Sequence, residues 1–493
     1  MMHMITQPSN NLKPSQPAVQ PDDDGWITVS RRRRPKAEEK RRGSRIACEV
    51  TINNLPNSIL VHILSFLPTT QAAQTCVLSR RWRYLWAYIP TLIIDEFSHN
   101  EAYKMNKFLQ LCRSLYLRNV SLKLGQSADY QSCFKWLEFA MRHKDVEELS
   151  LEVTASRWSH GNLHYSLPRN IFSRSRFLRV LVLYGCELRD IGTVDLRNAR
   201  KLCFENINVV GNSLNGLLAS CTRVEILQLK DSDSVTDLSA NLPELKTLIL
   251  TRCDELRSAK LTVPKLKVVK LYAFNSRLES FLLSDMVDLM EAQIDLSGED
   301  YQGCPDLLQY VGQAKQLIIE CCSLKKMFNT SAIADYSAIK VIRFELKTWN
   351  YKSNLLLIPA LLKIFPNLEE FKLHQHGCRS RRNWFSGEEV EEPSTETNYG
   401  DSLSVDCSLQ FLKKISYFNY NNEKLEVQLV KLLVKNAIVL ENISFLNCFG
   451  DFVEYLELIE ILKTCKASPK AEIVFEDDEF WYPDAKDFRV AIS

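Results

Sequence analysis

The sequence predicts an α/β chain: a short N-terminal three-helix unit, then an irregular solenoid of stacked strand-and-return repeats, then a C-terminal α+β segment. Three observations carry this. At Asn53 a polar, charge-rich stretch gives way to a helical apolar face, from Leu117 onward one apolar-x-x-apolar-x-apolar motif recurs, and near the C-terminus a helical leucine stripe lies between two such motifs. The 493 residues suffice for about three domains or one long array. Hydrophobic residues at 45% and charged residues at 25% are the proportions of a folded soluble protein, so disorder can only be local. A formal charge of +2 leaves no excess of the kind that marks a dedicated nucleic-acid or membrane-surface binder.

Residues 1–48 are rich in Pro, Gln, Asn and charge and cannot pack a core. Within them Arg31, Arg32, Arg33 and Arg34 precede Lys40, Arg41 and Arg42, two basic clusters with the pattern of a nuclear import signal. A solvated basic tail is the plainer reading, and sequence-independent nucleic-acid binding by it is the weaker one. The 15 cysteines lack regular pairing intervals and sit mostly in apolar runs, as Cys321 and Cys322 do beside Ile318 and Ile319. Reduced, buried thiols are expected, and with them the nucleus and/or the cytoplasm. Met1 to Gln20 hold no apolar stretch of signal-peptide length, and no run of about 18 apolar residues predicts a membrane span. Glycosylation patterns at Asn119, Asn329 and Asn442 therefore carry no weight.

The helical unit is placed at 49–92. Pro56 suits a first helical turn, with Asn53 and Asn54 supplying polar groups near it. Ile59, Leu60, Ile63, Leu64 and Leu67 then make one apolar face, and Pro68 ends the helix. A second helical stretch runs through Ala72, Ala73, Cys76, Val77 and Leu78, and a third carries Trp82, Leu85 and Trp86. About 40 residues bury too little surface to be comfortably stable alone, which points to a partner. The strings L-P-N-S-I-L-V-H-I-L-S-F-L-P and T-C-V-L-S-R-R-W-R-Y-L-W, over about Asn53 to Pro90, resemble a plant F-box. That resemblance implies docking on a Skp-type adaptor and, through it, on a cullin and a RING protein. The implied adaptor contacts are Leu55, Pro56, Ile59, Leu60, Ile63, Leu64, Val77, Leu78 and Trp82. Spacing leaves open which of these face the adaptor and which fill the unit's own core; Leu55 and Pro56, at the helix entrance, are the first choices for the surface.

Between 93 and 400 the motif reads Leu117-x-x-Val120-x-Leu122, Val146-x-x-Leu149-x-Leu151 and Leu178-x-x-Leu181-x-Leu183. Val224, Leu245 and Leu266 then open copies spaced by 21 residues, inside the range of leucine-rich repeats. Weaker copies follow at Leu289, Leu368, Leu412 and Leu440. One copy cannot bury its apolar face alone, so neighbours stack and share a core. Alternation turns the motif leucines inward and puts Val182, Tyr184, Gln228, Lys230, Ile249, Thr251, Lys270, Tyr272, Lys372 and His374 on the open face, a candidate surface for a protein substrate. Singly, each is better explained as an ordinary solvated strand residue, and only the collective surface is a site candidate. The 44 residues from Leu368 to Leu412 imply an insertion holding Arg379, Arg381 and Arg382 and an acidic loop near 386–402, with Ser394 and Thr395 as exposed hydroxyls.

The segment 403–480 is read as strand, helix, strand, with Leu425, Leu429, Leu432 and Leu433 forming the stripe and Leu440, Ile443 and Phe445 resuming strand period. L-Q-F-L-K-K-I-S-Y-F-N-Y to L-E-N-I-S-F, with the closing S-P-K-A-E-I-V-F, resembles the plant FBD domain that follows leucine-rich repeats in many F-box proteins. Its plain structural role would be to cap the array.

No nucleotide-binding glycine loop, nucleophile elbow or H-E-x-x-H helix occurs, and His374 with His376 is the only close histidine pair. No catalytic residue, cofactor, metal site, membrane contact or nucleic-acid partner is expected. The resemblances imply the substrate-recognition subunit of an SCF-type (cullin-RING) E3 ubiquitin ligase, itself not an enzyme. The alternative is a non-degradative nuclear scaffold that binds proteins through its repeats.

Overall fold

The computed structural model describes residues 52–95, 117–125, 130–143, 145–154, 164–272, 278–296, 305–321, 324, 340–349, 352–376, 409–446, 452–465, 468, 470–476 and 488–491. The basic clusters at Arg31 to Arg42 and the insertion with Arg379, Arg381, Arg382, Ser394 and Thr395 lie outside them. Two compact units divide the chain, Met1–Leu55 and Pro56–Ser493. In the first, Ile52–Asn54 form a 3-10 turn.

The second opens with α1 (Asn57–Leu64), whose N-cap position is taken by Pro56 without a side-chain hydrogen bond. Pro68 holds the same place before α2 (Thr69–Gln74), and 3-10 turns follow at Thr75–Val77 and Trp82–Tyr88. The third expected helix is thus wound as a 3-10 helix. Its three-residue period stacks Trp82 over Leu85, and both are buried. Leu60, Leu64, Ala72, Trp82, Leu85 and Trp86 form the core of this helical unit.

Strand pairing then builds one 16-stranded sheet among the described residues. In spatial order its strands are β1 (Thr91–Asp95), β2 (Asn119–Leu124), β3 (Glu148–Val153), β5 (Val180–Tyr184), β7 (Lys201–Glu205), β9 (Ile226–Lys230), β11 (Thr247–Thr251) and β13 (Val268–Tyr272). They continue as β15 (Glu291–Leu296), β16 (Gln316–Cys321), β17 (Arg343–Trp349), β18 (Glu370–His376), β19 (Lys414–Phe418), β20 (Asn442–Leu446), β21 (Glu472–Glu476) and β22 (Phe488–Ala491). All neighbours run parallel except β22, which closes the edge antiparallel to β21. The strands of the FBD-like segment extend this same sheet, β18 pairing directly with β19 across the insertion.

Alternation decides which side is core. Leu181, Leu183, Leu202, Phe204, Leu227, Leu229, Leu248 and Leu250 are fully buried on one face, and the residues between them are half-buried on the other. Toward the C-terminus the inner column turns aromatic: Phe344 stacks on Phe371, and Tyr417, Phe445 and Phe475 stack across β19, β20 and β21.

Repeat length decides how the chain returns. Across the 21-residue copies the return is extended, giving an outer three-stranded parallel sheet of β10 (Asp237–Asn241), β12 (Ser258–Thr262) and β14 (Ser280–Ser284). A smaller one joins β4 (Tyr165–Ser166), β6 (Cys186–Leu188) and β8 (Asn208–Val209). Longer copies return through helices, since a helix rises about 1.5 Å per residue against about 3.3 Å for a strand. These are α3 (Tyr130–Arg142), α4 (Ser213–Ala219), α5 (Pro305–Val311), α6 (Lys352–Leu362), α7 (Lys424–Asn436) and α8 (Phe452–Cys465). None of the described helices is long and apolar enough to cross a membrane.

Strand exits share one corner. Gly185, Asn206, Asp231, Arg252 and Asn419, each directly after a main-sheet strand, have positive φ. Their amides donate to the last carbonyl of the next strand, as Asp231 N does to Thr251 O at 2.9 Å and Arg252 N to Tyr272 O at 3.0 Å. Gly, Asn and Asp tolerate this left-handed geometry; arginine is the exception.

Candidate functional site

Two surfaces could hold other molecules. On the helical unit, burial separates the nine resemblance-derived positions. Leu60, Leu64 and Trp82 are at most 3% exposed and cannot touch a partner, because α1 turns those leucines inward and the 3-10 winding carries the Trp82 indole under them. Leu55 is half-buried behind its 3-10 turn, and Pro56 is exposed. Ile59 (44%), Ile63 (37%), Val77 (83%) and Leu78 (63%) point outward. Sequence reasoning missed Phe66 and Tyr84, also strongly exposed; Ile59, Ile63 and Phe66 continue one helical stripe at i, i+4 and i+7, which is the signal that could have found Phe66. Arg81 Nε donates to Asn57 Oδ1 at 2.9 Å, tying the segment after Leu78 to the start of α1. Burying an aliphatic side chain of this size stabilises by about 1.5–3 kcal/mol, so a partner covering this face gains mainly from desolvation.

The helical unit is also joined to the sheet. Ile93 N donates to the buried Thr69 Oγ1 at 2.8 Å, and Thr91 Oγ1 donates to Ser65 O at 3.2 Å. Ile89, Leu92 and Ile94 continue the buried apolar set into β1. The expectation that a foreign partner alone compensates for the unit's small size is corrected accordingly: the first strand supplies part of what 40 residues lack.

All ten expected open-face residues lie on the outward side of main-sheet strands and are half-buried. The register lines up Val182, Gln228, Ile249 and Lys270 in one row and Tyr184, Lys230, Thr251 and Tyr272 in the next. Cys203 and Glu205, overlooked because β7 was not read as a strand, complete these rows. The lysines are not free cations: Lys230 Nζ lies 2.5 Å from Glu205 Oε1, Lys270 Nζ 2.8 Å from Glu291 Oε1, and Lys372 Nζ 3.3 Å from Glu370 Oε1. The hydrogen bond from Lys270 to Glu291 raises the pKa of Lys270. Tyr272 donates to Gln293 Oε1 at 2.8 Å. His374 stacks on Phe418, with ring centroids 3.8 Å apart, and its Nε2 lies 3.3 Å from Glu345 Oε1. That imidazole first, then Lys347 and Lys372, holds the Glu345 carboxyl below its ordinary pKa.

Burial pushes the Cys221 thiol up to about 11 and Cys253 up to about 12, and raises Cys186 and Cys203, the reverse of what an acyl-carrying thiolate needs.

Comparison with known proteins decides the family. The family described as At1g61320/AtMIF1, LRR domain, matches residues 109–474, about three quarters of the chain, and the F-box domain matches residues 52–92. The chain belongs to the F-box/leucine-rich-repeat family. Its relatives include the FBD-associated F-box protein At4g10400 of Arabidopsis thaliana, 26% identical over 86% of this chain and 99% of that protein. The F-box/FBD/LRR-repeat protein At3g26920 of the same plant is 25% identical over 88% of this chain and 98% of its own length, so the likeness extends over helical unit, repeats and C-terminal segment together.

Proposed function

We propose that this F-box/leucine-rich-repeat protein is the substrate-recognition subunit of an SCF-type (cullin-RING) ubiquitin ligase. F-box domains generally bind Skp1-type adaptors, and F-box/leucine-rich-repeat proteins are generally non-catalytic. The observation that carries the reading is the outward Ile59, Ile63, Val77 and Leu78 over a core already complete beneath them. Exposed aliphatic side chains in this number beside a filled core are the mark of an interaction site. In this reading the adaptor covers that face, and the open face of the sheet holds a protein substrate. The mechanism is proximity: tethering raises the effective concentration of substrate lysines near the charged conjugating enzyme, and the bond-making belongs to other subunits. Arg31–Arg34 with Lys40, Arg41 and Arg42 would bring the protein to the nucleus.

Reconstitution tests this. Purified full-length chain added to adaptor, cullin and RING protein should assemble into one complex by size-exclusion chromatography. A chain that elutes apart from the adaptor at micromolar concentration overturns the ligase reading.

A further inference from the structure

Between β5 and β13 the open face sets aliphatic residues among Cys203, Gln228 and Thr247, with a line of charges along its edge. Its aliphatic residues are Ile226 and Ile249, on the strands between Lys201 and Lys267, and Val180 and Val182, on the strand beyond Lys201, each half-buried. Along the edge where the strands begin, Arg179 lies 3.5 Å from Glu147, Arg200 lies 3.0 Å from Glu225, and Lys246 lies 2.6 Å from the same Glu225. At the strand ends Lys230 pairs with Glu205 and Arg252 with Asp231. The carboxylates of both edges are therefore engaged. Two lysines are left over: Lys201, in register between Val180 and Ile226, and Lys267, next to Lys246 on the first edge. Both are exposed, and among the described residues neither side chain has an acidic partner.

We propose that this stretch takes an extended, aliphatic segment of the target protein carrying two acidic side chains, one for Lys201 and one for Lys267. The proposal rests on the reading of the open face as the substrate surface and names the class of segment it accepts. Three strand spacings of about 4.8 Å separate the two lysine positions, about 14 Å, which an extended chain spans in about four residues. Small aliphatic side chains between the two acids lie on Ile226 and Ile249, and Glu225, shared by Arg200 and Lys246, leaves the first edge with a further positive charge that favours an acidic segment over a basic one. A nucleic acid fits less well, because Glu147, Glu225, Glu205 and Asp231 line the two edges and oppose a phosphate chain.

The probe is a fluorescein-labelled peptide with two glutamates about four residues apart separated by Ala-Val-Ala, so that the valine shares the glutamates' face, followed by anisotropy with the full chain. Its lysine counterpart and a single-stranded RNA oligomer serve as comparisons. The glutamate peptide should bind the native chain and lose about tenfold in affinity to the Lys201→Glu/Lys267→Glu variant, which should gain affinity for the lysine peptide. Equal binding of both peptides, indifference to the double variant, or preference for RNA overturns the proposal. A photo-cross-linking residue at position 249 in cells separates this from the broader reading. Cross-links to protein that persist in the double variant overturn the acidic-segment inference alone; no cross-links from either chain remove the open-face reading as well.

Discussion

Arg252 and Asp231, consecutive corners of two stacked repeats, hold one another: Arg252 Nη2 donates to Asp231 Oδ2 at 2.7 Å and Nε donates to Oδ1. Both residues are in the left-handed region, at φ 48° and 50°. The hydrogen-bonded Asp231 carboxylate raises the Arg252 pKa.

The corner is therefore a contest of two terms. Left-handed backbone costs a non-glycine residue about 1–2 kcal/mol, and an exposed ion pair returns about 0.2–1 kcal/mol. Arg252→Gly should leave the urea midpoint unchanged or raise it slightly, whereas Asp231→Ala, losing the pair while keeping the strained backbone, should lower it by about 1 kcal/mol equivalent. A large loss from Arg252→Gly would contradict this balance.

Gly185 is the one corner where no side chain fits. At φ +67°, an added Cβ would lie 2.1 Å from Val153 O, a backbone atom of the preceding repeat. Gly185→Ala should destabilise by about 2–4 kcal/mol through combined clash and strain, read as a drop in Tm, while Gly211→Ala, at a similar φ with nothing within 4 Å of an added Cβ, should cost about half as much or less.

Glu426 makes stability depend on pH. Its carboxylate is fully buried, accepts Asn421 N and Glu423 N at 3.0 Å each, and accepts the Tyr417 hydroxyl at 3.2 Å. Burial is the first cause of a pKa raised to about 7 from 4.5. The folded chain thus holds a proton that the unfolded chain releases, so this group's contribution is full below pH 4.5 and is lost as pH rises through 7. The difference amounts to about 3 kcal/mol. Urea midpoints should fall between pH 5 and pH 8, and Glu426→Gln should remove that part of the fall; an identical slope in the variant would contradict the assignment.

The middle of the array was legible because three copies at a 21-residue spacing carry Leu or Val in the same places. β1, β7, β16 and β17 were not, although they keep the same inward geometry. Their motifs read Ile89-x-x-Leu92-x-Ile94, Ala199-x-x-Leu202-x-Phe204, Ala314-x-x-Leu317-x-Ile319 and Val341-x-x-Phe344-x-Leu346, in which isoleucine, alanine, valine or phenylalanine takes a leucine position. The outer strands left little trace: β10 is D-L-S-A-N, with Leu238 as its buried residue. On the helical unit, residue types announced an apolar face, but the division between Leu60 inside and Ile59 outside depends on how α1 lies on the 3-10 helix. That is a tertiary choice which periodicity does not encode.

Titration of the purified full-length chain with a Skp-type adaptor by calorimetry addresses the helical face directly. The native chain should bind, and Val77→Asp/Leu78→Asp, at positions 83% and 63% exposed, should weaken binding at least about a hundredfold with Tm unchanged. Undiminished binding by that variant, or none by the native chain, would contradict the account.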